Sequence, residues 1–170
     1  MTCPSCCGDN LDGVIDCAAC GQPLNDASLP EPSTAVERSL LMDHVGVLNP
    51  KAPIHVSPDT PVRDVLRMLV ARRIGCMIVS DGGKPVGIFS ERDALVRLGT
   101  DAASQGDRPI ADFMTAAPET LPVDAKVAFA LQRMDVGGYR HLPIVDDAGA
   151  VTGIISVRDI LRYLAAKLAA

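Results

Sequence analysis

Four cysteines near the amino terminus, Cys3-Pro4-Ser5-Cys6 and Cys17-Ala18-Ala19-Cys20, stand as two C-x-x-C pairs ten residues apart. Each pair can place two thiolates on one ion. Two pairs complete a tetrahedral four-sulfur site suited to zinc, with Zn–S bonds of about 2.3 Å. Iron takes the same four sulfurs, so zinc is the first expectation and iron stays open. A segment of about 20 residues buries too little apolar surface to fold alone, so the metal would supply its stability. Cys7 is a spare thiol or an alternative ligand.

A second constellation occurs twice. Gly87-Ile88-Phe89-Ser90-Glu91-Arg92-Asp93 returns 66 positions later as Gly153-Ile154-Ile155-Ser156-Val157-Arg158-Asp159. Serine followed three residues on by an acid reads as a capping box at the start of a helix. The same place offers unpaired N–H groups to a phosphate, and the carboxylate can accept from the two vicinal hydroxyls of a ribose. Capping alone and ligand binding both account for the motif.

The elements that position these residues follow from periodicity. Ile54-His55-Val56 alternates as a strand does. Thr60 is then a cap, with Pro61 in the first helical position. Val62, Val65, Leu66, Leu69 and Val70 form the apolar stripe of a helix. Cys76 to Val79 is a buried strand, Asp81-Gly82-Gly83 a hairpin turn, and Val86 to Phe89 the next strand. A second helix starts near Ser90 with Ala94, Leu95 and Leu98 inward. The second copy runs likewise: Thr120-Leu121, a cap at Asp124, a stripe of Val127, Ala130, Leu131 and Met134, then strands at Leu142–Val145 and Thr152–Ile155. It ends in a helix with Ile160, Leu161 and Leu164 inward. The order is β-α-β-β-α twice, an α+β fold, with a right-handed crossover in the first β-α-β. Two copies are too few for a solenoid, so a closed pseudo-two-fold pair is expected.

The chain of 170 residues thus divides into a metal ribbon (1–22), a linker with a short helix from Ala35 capped by Ser33 or Thr34 (23–44), repeat 1 (45–100), and a bridging segment with repeat 2 (101–170). Within the bridge, Ile110 to Met114 reads as a short helical piece. With 3% aromatics and no tryptophan, the core must be aliphatic. No apolar run reaches the roughly 18 residues of a membrane span, and no signal peptide is seen. A cytoplasmic protein with reduced thiols is expected. Residues 1–37 carry six acids and no Lys or Arg, while all 16 basic residues and the other 15 acids fall beyond them. That charge distribution argues against nucleic acid as a partner.

Two β-α-β-β-α copies, each ending Gly-h-x-Ser-x-x-Asp, resemble a tandem CBS domain pair (a Bateman module). So do Val56-Ser57-Pro58-Asp59-Thr60-Pro61-Val62 and Arg140-His141-Leu142-Pro143-Ile144-Val145-Asp146. The likeness runs from about Val45 to the carboxyl terminus, and the amino-terminal segment is similar to the short zinc ribbons appended to many bacterial and archaeal proteins. The resemblance implies paired clefts for an adenine nucleotide of the AMP, ADP or ATP type. Asp93 or Asp159 would take the ribose, with Ser90 or Ser156 near phosphate. It also implies a homodimer.

The copies are unequal. Arg140-His141 stands where the first copy has Gly75-Cys76, and Arg140 and His141 suit a phosphate or a base edge. Arg92 and Arg158 are secondary phosphate candidates. His55 and Thr120 hold matching strand positions that can touch an adenine, and Cys76 reads as core. The expected function is a stand-alone regulatory sensor that signals to a partner protein and is not an enzyme. The alternative is a metal-responsive, redox-responsive or nucleic-acid-associated protein acting through the ribbon.

Overall fold

The structure is a computed structural model that describes residues 34–169 and, nearer the amino terminus, residues 3, 8–11, 14, 16–22 and 24. Along the chain, helix α1 (Ala35–Met42) and a 3-10 turn (Val45–Leu48) precede strand β1 (His55–Val56), helix α2 (Val62–Arg72) and the hairpin of β2 (Cys76–Asp81) and β3 (Lys84–Ser90). One turn of α3 (Glu91–Asp93) widens into a π-helix (Ala94–Leu98). Helix α4 (Ala102–Gln105), a 3-10 turn (Ile110–Asp112) and β4 (Thr115–Ala116) lead to the second copy. That copy comprises β5 (Leu121–Pro122), α5 (Val127–Gly137), β6 (His141–Val145), β7 (Val151–Ser156) and α6 (Val157–Leu168). The doubled β-α-β-β-α order is therefore present.

These elements fall into two compact units that cut across the sequence repeat. One holds Met1–Asn49, Leu121–Arg140 and Val157–Ala170; the other holds Pro50–Thr120 and His141–Ser156. The second unit contains a four-stranded sheet in the order β1-β2-β3-β4. Here β1 runs parallel to β2, while β2–β3 and β3–β4 are antiparallel. Its core is aliphatic around two aromatics, with Val62, Val65, Leu69, Met77, Val79, Phe89 and Phe113 buried together. A second buried cluster joins the hairpins of the two copies through Cys76, Ile78, Ile88 and Ile154.

The copies also exchange their leading segments. Thr115 and Ala116, which open the second copy, pair with Ile88 and Gly87 of the first. Lys51, which opens the first, bridges to Ile154 of the second, with Lys51 N–H to Ile154 C=O at 2.9 Å and the reverse bond at 2.8 Å. Both motif glycines sit beneath these crossings. A Cβ on Gly153 would lie 2.6 Å from the Pro50 Cβ, and one on Gly87 would lie 3.1 Å from the Thr115 carbonyl oxygen. Pro50 is a ring that cannot swing aside. Gly153→Ala should therefore cost about 1–3 kcal/mol as an overpacking change. Gly46→Ala, with open space around its Cα, should be near neutral. Urea denaturation of the two variants beside the parent checks this, and equal midpoints would contradict it.

Among its described elements the other unit is helical apart from β5. Helix α1 carries a full capping box, with Glu37 N–H donating to Thr34 Oγ1 at 3.1 Å and Thr34 N–H to Glu37 Oε2 at 3.0 Å. Its end is tied down by Asp43. That carboxylate accepts from Tyr163 Oη at 2.8 Å and pairs with Lys167 Nζ at 3.0 Å. The hydrogen bonds from Tyr163 and Lys167 hold the Asp43 carboxyl below its ordinary range. Desolvation, aided by Asp43, pushes the Tyr163 phenol up to about 12.

Several expected details differ. Helix α2 begins at Val62 with Pro61 as its cap, and α5 begins at Val127 with Lys126 as its cap. Neither has a side-chain cap bond, so Thr60 and Asp124 do not cap. Val70 is 79% exposed because eight residues carry a helix about 80° past its starting direction. Leu95 is exposed because the π-helical widening after Asp93 shifts the phase on which the inward stripe was counted. Leu131 and Leu161 are also exposed, on the flanks of helices that bury Val127, Ala130, Met134 and Ile160.

Candidate functional site

The sulfur cluster is built by tight turns. Cys3 N–H donates to the Gly8 carbonyl at 2.9 Å, and the Cys17 carbonyl accepts from Gly21 N–H at 2.8 Å. Gly21 has φ +72°, a left-handed conformation that lets the second knuckle close. Asn10 braces that knuckle. Its Oδ1 accepts from Ala18 N–H at 2.9 Å, and its Nδ2 lies 3.5 Å from Cys17 Sγ. The sulfurs of Cys3, Cys17 and Cys20 all lie within 4.8 Å of one another. Cys3 Sγ and Cys20 Sγ are 3.7 Å apart. A disulfide would need about 2.05 Å, whereas tetrahedral metal–sulfur bonds of about 2.3 Å give an edge of about 3.8 Å. The donor set fits a thiophilic divalent ion. Cys3 and Cys17 are buried and Cys20 is exposed. Cys6 and Cys7 lie outside the described residues.

The two serine–aspartate motifs occupy matching register. Ser90 at the end of β3 stands opposite Cys76, and Ser156 at the end of β7 stands opposite His141. The bonds beside them match as well. Glu91 N–H donates to the Gly75 carbonyl and Val157 N–H to the Arg140 carbonyl, each at 3.0 Å. The alignment of Gly75-Cys76 with Arg140-His141 is thus a structural one.

In the first motif the capping box is real. Ser90 N–H and Oγ both donate to Asp93 Oδ2, at 2.9 and 2.6 Å, and Asp93 N–H donates to Ser90 Oγ at 3.3 Å. Asp93 Oδ1 accepts from Thr115 Oγ1 at 3.0 Å and pairs with Arg97 Nε at 3.4 Å. Thr115 and Arg97 were not singled out from the sequence. The Thr115 contact depends on the β3–β4 pairing, which joins residues more than twenty positions apart, whereas Arg97 lies four residues beyond Asp93, a local helical spacing that could have shown it. Arg92 is exposed.

His141 faces Gly75 across the pair of copies. A Cβ on Gly75 would fall 2.5 Å from His141 Nε2 and 3.6 Å from Glu91 Oε2, so the missing side chain leaves room for the imidazole beside an acid. His55 is exposed, with Nδ1 2.7 Å from Ser80 Oγ, and Thr120 is half-buried. Cys76 is core: burial, followed by the Asp93 and Glu91 carboxylates, pushes its thiol up to about 12. In the helical unit, Asp159 is buried and accepts from Arg162 Nη1 at 2.9 Å, while Arg140 and Arg158 are exposed. Among the described residues no helix is long and apolar enough to cross a membrane.

The family model of the CBS domain matches this chain twice, over residues 47–99 and 110–166. An uncharacterized protein of Methanopyrus kandleri is 33% identical over 132 residues, which cover 73% of this chain and 65% of that one. The chain thus spans just under two thirds of the length of that curated relative. A CBS domain protein from Pyrobaculum aerophilum, solved in complex with AMP, is similar with a TM-score of 0.61 and 26% identity over 73% of this chain and 99% of that one. A CBS domain pair solved with 5′-methylthioadenosine and S-adenosyl-L-methionine gives a TM-score of 0.65 and 26% identity over 74% and 98% of the two chains.

Proposed function

The chain belongs to the CBS domain family, and we propose that it is a regulatory module that binds an adenosine-containing nucleotide through its doubled serine–aspartate motif and signals to a partner protein. The observation that carries this reading is the matched register of Ser90 opposite Cys76 and Ser156 opposite His141. Each motif aspartate is thereby set at the end of a buried strand, with a helix starting beside it. Two similar structures, solved with AMP and with methylthioadenosine and S-adenosylmethionine, support adenosine as the common chemistry. Its role is regulatory rather than catalytic, and it acts as a homodimer in the cytoplasm. The amino-terminal segment is a zinc ribbon held by Cys3, Cys6, Cys17 and Cys20.

The two copies are predicted to bind unequally. Only the second places a cation and an imidazole, Arg140 and His141, at the strand position that Gly75 and Cys76 hold in the first. Arg140 would meet phosphate and Asp159 ribose, with Arg158 as a further cation; Ser90, Asp93 and Arg92, with His55 and Thr120 toward the base, make the weaker site. Calorimetric titration of AMP and ATP tests this. Asp159→Ala or Arg140→Ala should weaken binding by about 1.5–3 kcal/mol, the scale of a hydrogen bond to a charged group. Asp93→Ala should weaken it less. Thermal melts run alongside separate lost binding from lost capping. If no adenosine compound binds the parent protein at millimolar concentration, the sensor reading fails.

A further inference from the structure

A carboxylate offers about four acceptor positions, and on Asp93 three of them accept hydrogen bonds from this chain while Arg97 stands against the fourth as an ion pair. Oδ2 accepts from Ser90 N–H and Oγ, and Oδ1 accepts from Thr115 Oγ1 and faces Arg97 Nε at 3.4 Å. A ribose diol brings two further O–H donors, so at least one of the present bonds must give way. Giving up the Ser90 pair would uncap the helix. The Oδ1 pair is the weaker one, at 3.0 and 3.4 Å against 2.9 and 2.6 Å. We propose that Thr115 and Arg97 form a clasp on Asp93 that a ribose-bearing ligand must open, so that occupancy is transmitted to strand β4.

The consequence follows from what else the clasp holds. Arg97 Nη2 donates to Thr115 Oγ1 at 3.0 Å and Nη1 donates to the Met114 carbonyl. One guanidinium therefore ties the helix after Asp93 to the segment that opens the second copy. Strand β4 is two residues long, paired with Gly87 and Ile88, and followed by one bond from Ala117 N–H to the Val86 carbonyl at 3.2 Å. A strand this short depends on its side-chain anchors, and Thr115 supplies one to Asp93 and Arg97. The clasp belongs to the first copy alone, because the matching position in the second is Pro50, which has no hydroxyl. Ligand binding at Asp93 thus loosens the exchanged segment, and the cost of opening the clasp lowers the affinity of this copy.

The proposal rests on the reading of Asp93 as a ribose-binding carboxylate, and the experiment separates the two. Amide hydrogen exchange over residues 114–117 is measured on the full chain with AMP, with 2′,3′-dideoxy-AMP, and without ligand. AMP titrations are run on the parent, Thr115→Val and Arg97→Gln. AMP should speed exchange at Thr115 and Ala117 roughly tenfold, and the dideoxy analogue should leave it unchanged. Thr115→Val should bind AMP about threefold to tenfold tighter, since one hydrogen bond no longer has to be broken. Arg97→Gln should show fast exchange at Ala117 before ligand is added, which keeps the test intact if the Thr115 variant folds poorly. AMP binding that leaves exchange at 114–117 unchanged overturns the clasp alone. Failure of every adenosine compound to bind overturns the nucleotide reading, and the clasp as a ligand gate with it.

Discussion

Stripping the metal, or replacing Cys17 with serine, should unfold residues 1–22 and leave the segment from residue 45 onward folded. Purified protein should carry about one four-sulfur-bound ion per chain. The three described sulfurs lie within 4.8 Å of one another, and one pair, Cys3 Sγ and Cys20 Sγ, is at the spacing of a tetrahedral edge, 3.7 Å apart. Thiolates held that close without a cation repel one another, and this part of the chain has few apolar groups to offset the repulsion. Apparent binding energies of structural zinc in finger peptides are about 10–16 kcal/mol, more than such a segment could draw from burial. Losing one ligand of a four-sulfur site would therefore remove most of what holds the turns at Cys3 and Cys17. Cys76→Ser is the control, since that thiol is buried in the sheet cluster and its loss should leave the metal content unchanged. Elemental analysis under reducing conditions, with hydrogen exchange over residues 1–22 before and after chelation, makes the measurement. Absence of stoichiometric zinc or iron would refute the site, and a ferric-thiolate spectrum would assign the ion as iron.

Phe89→Ala should cost about 3–5 kcal/mol, while Leu131→Ala should cost about 1 kcal/mol or less. Phe89 is fully buried among Val62, Val65, Leu69 and Met77, so truncation removes its transfer energy and leaves a cavity that rigid strands cannot close. Leu131 is 38% exposed on the flank of α5, where truncation opens no cavity. The apolar stripes of the two copies suggest equal losses at Leu66 and Leu131. The structure separates them, because Leu66 packs against the sheet core and Leu131 does not. Urea unfolding curves with unchanged slopes give the comparison, and matched losses for Phe89 and Leu131 would contradict it.

Local features of this chain were legible because they depend on near neighbours. The doubled Gly-h-x-Ser-x-x-Asp motif, the period-3.6 stripe of Val62, Val65 and Leu69, and the Asp81-Gly82-Gly83 turn each express a rule acting within a few residues. Each reappears in α2, in the β2–β3 hairpin and in the Ser90 capping box. The register of Gly75-Cys76 against Arg140-His141 was legible for a related reason, since a repeat carries its own ruler. Phase errors arose where a local rule was extrapolated too far. Val70 lies at the end of a stripe that had turned away, and Leu95 follows a change from α to π geometry that no residue type announced.

Composition, repeat and spacing by themselves determined that this protein has two β-α-β-β-α copies with an aliphatic core, paired serine–aspartate motifs and a candidate four-sulfur site. Those properties follow from backbone periodicity and from the ligand chemistry of residue types. Tertiary structure decided which distant donor reaches the Asp93 carboxylate, why Gly75 makes room for His141, and why a Cβ on Gly153 would press on Pro50. In each case the deciding neighbour, Thr115, His141 or Pro50, is more than twenty residues away in the chain. It is brought close only by the exchange of leading segments and by packing between the copies. Periodicity carries no information about such meetings, because they depend on how the strands pair and not on what lies beside them in sequence.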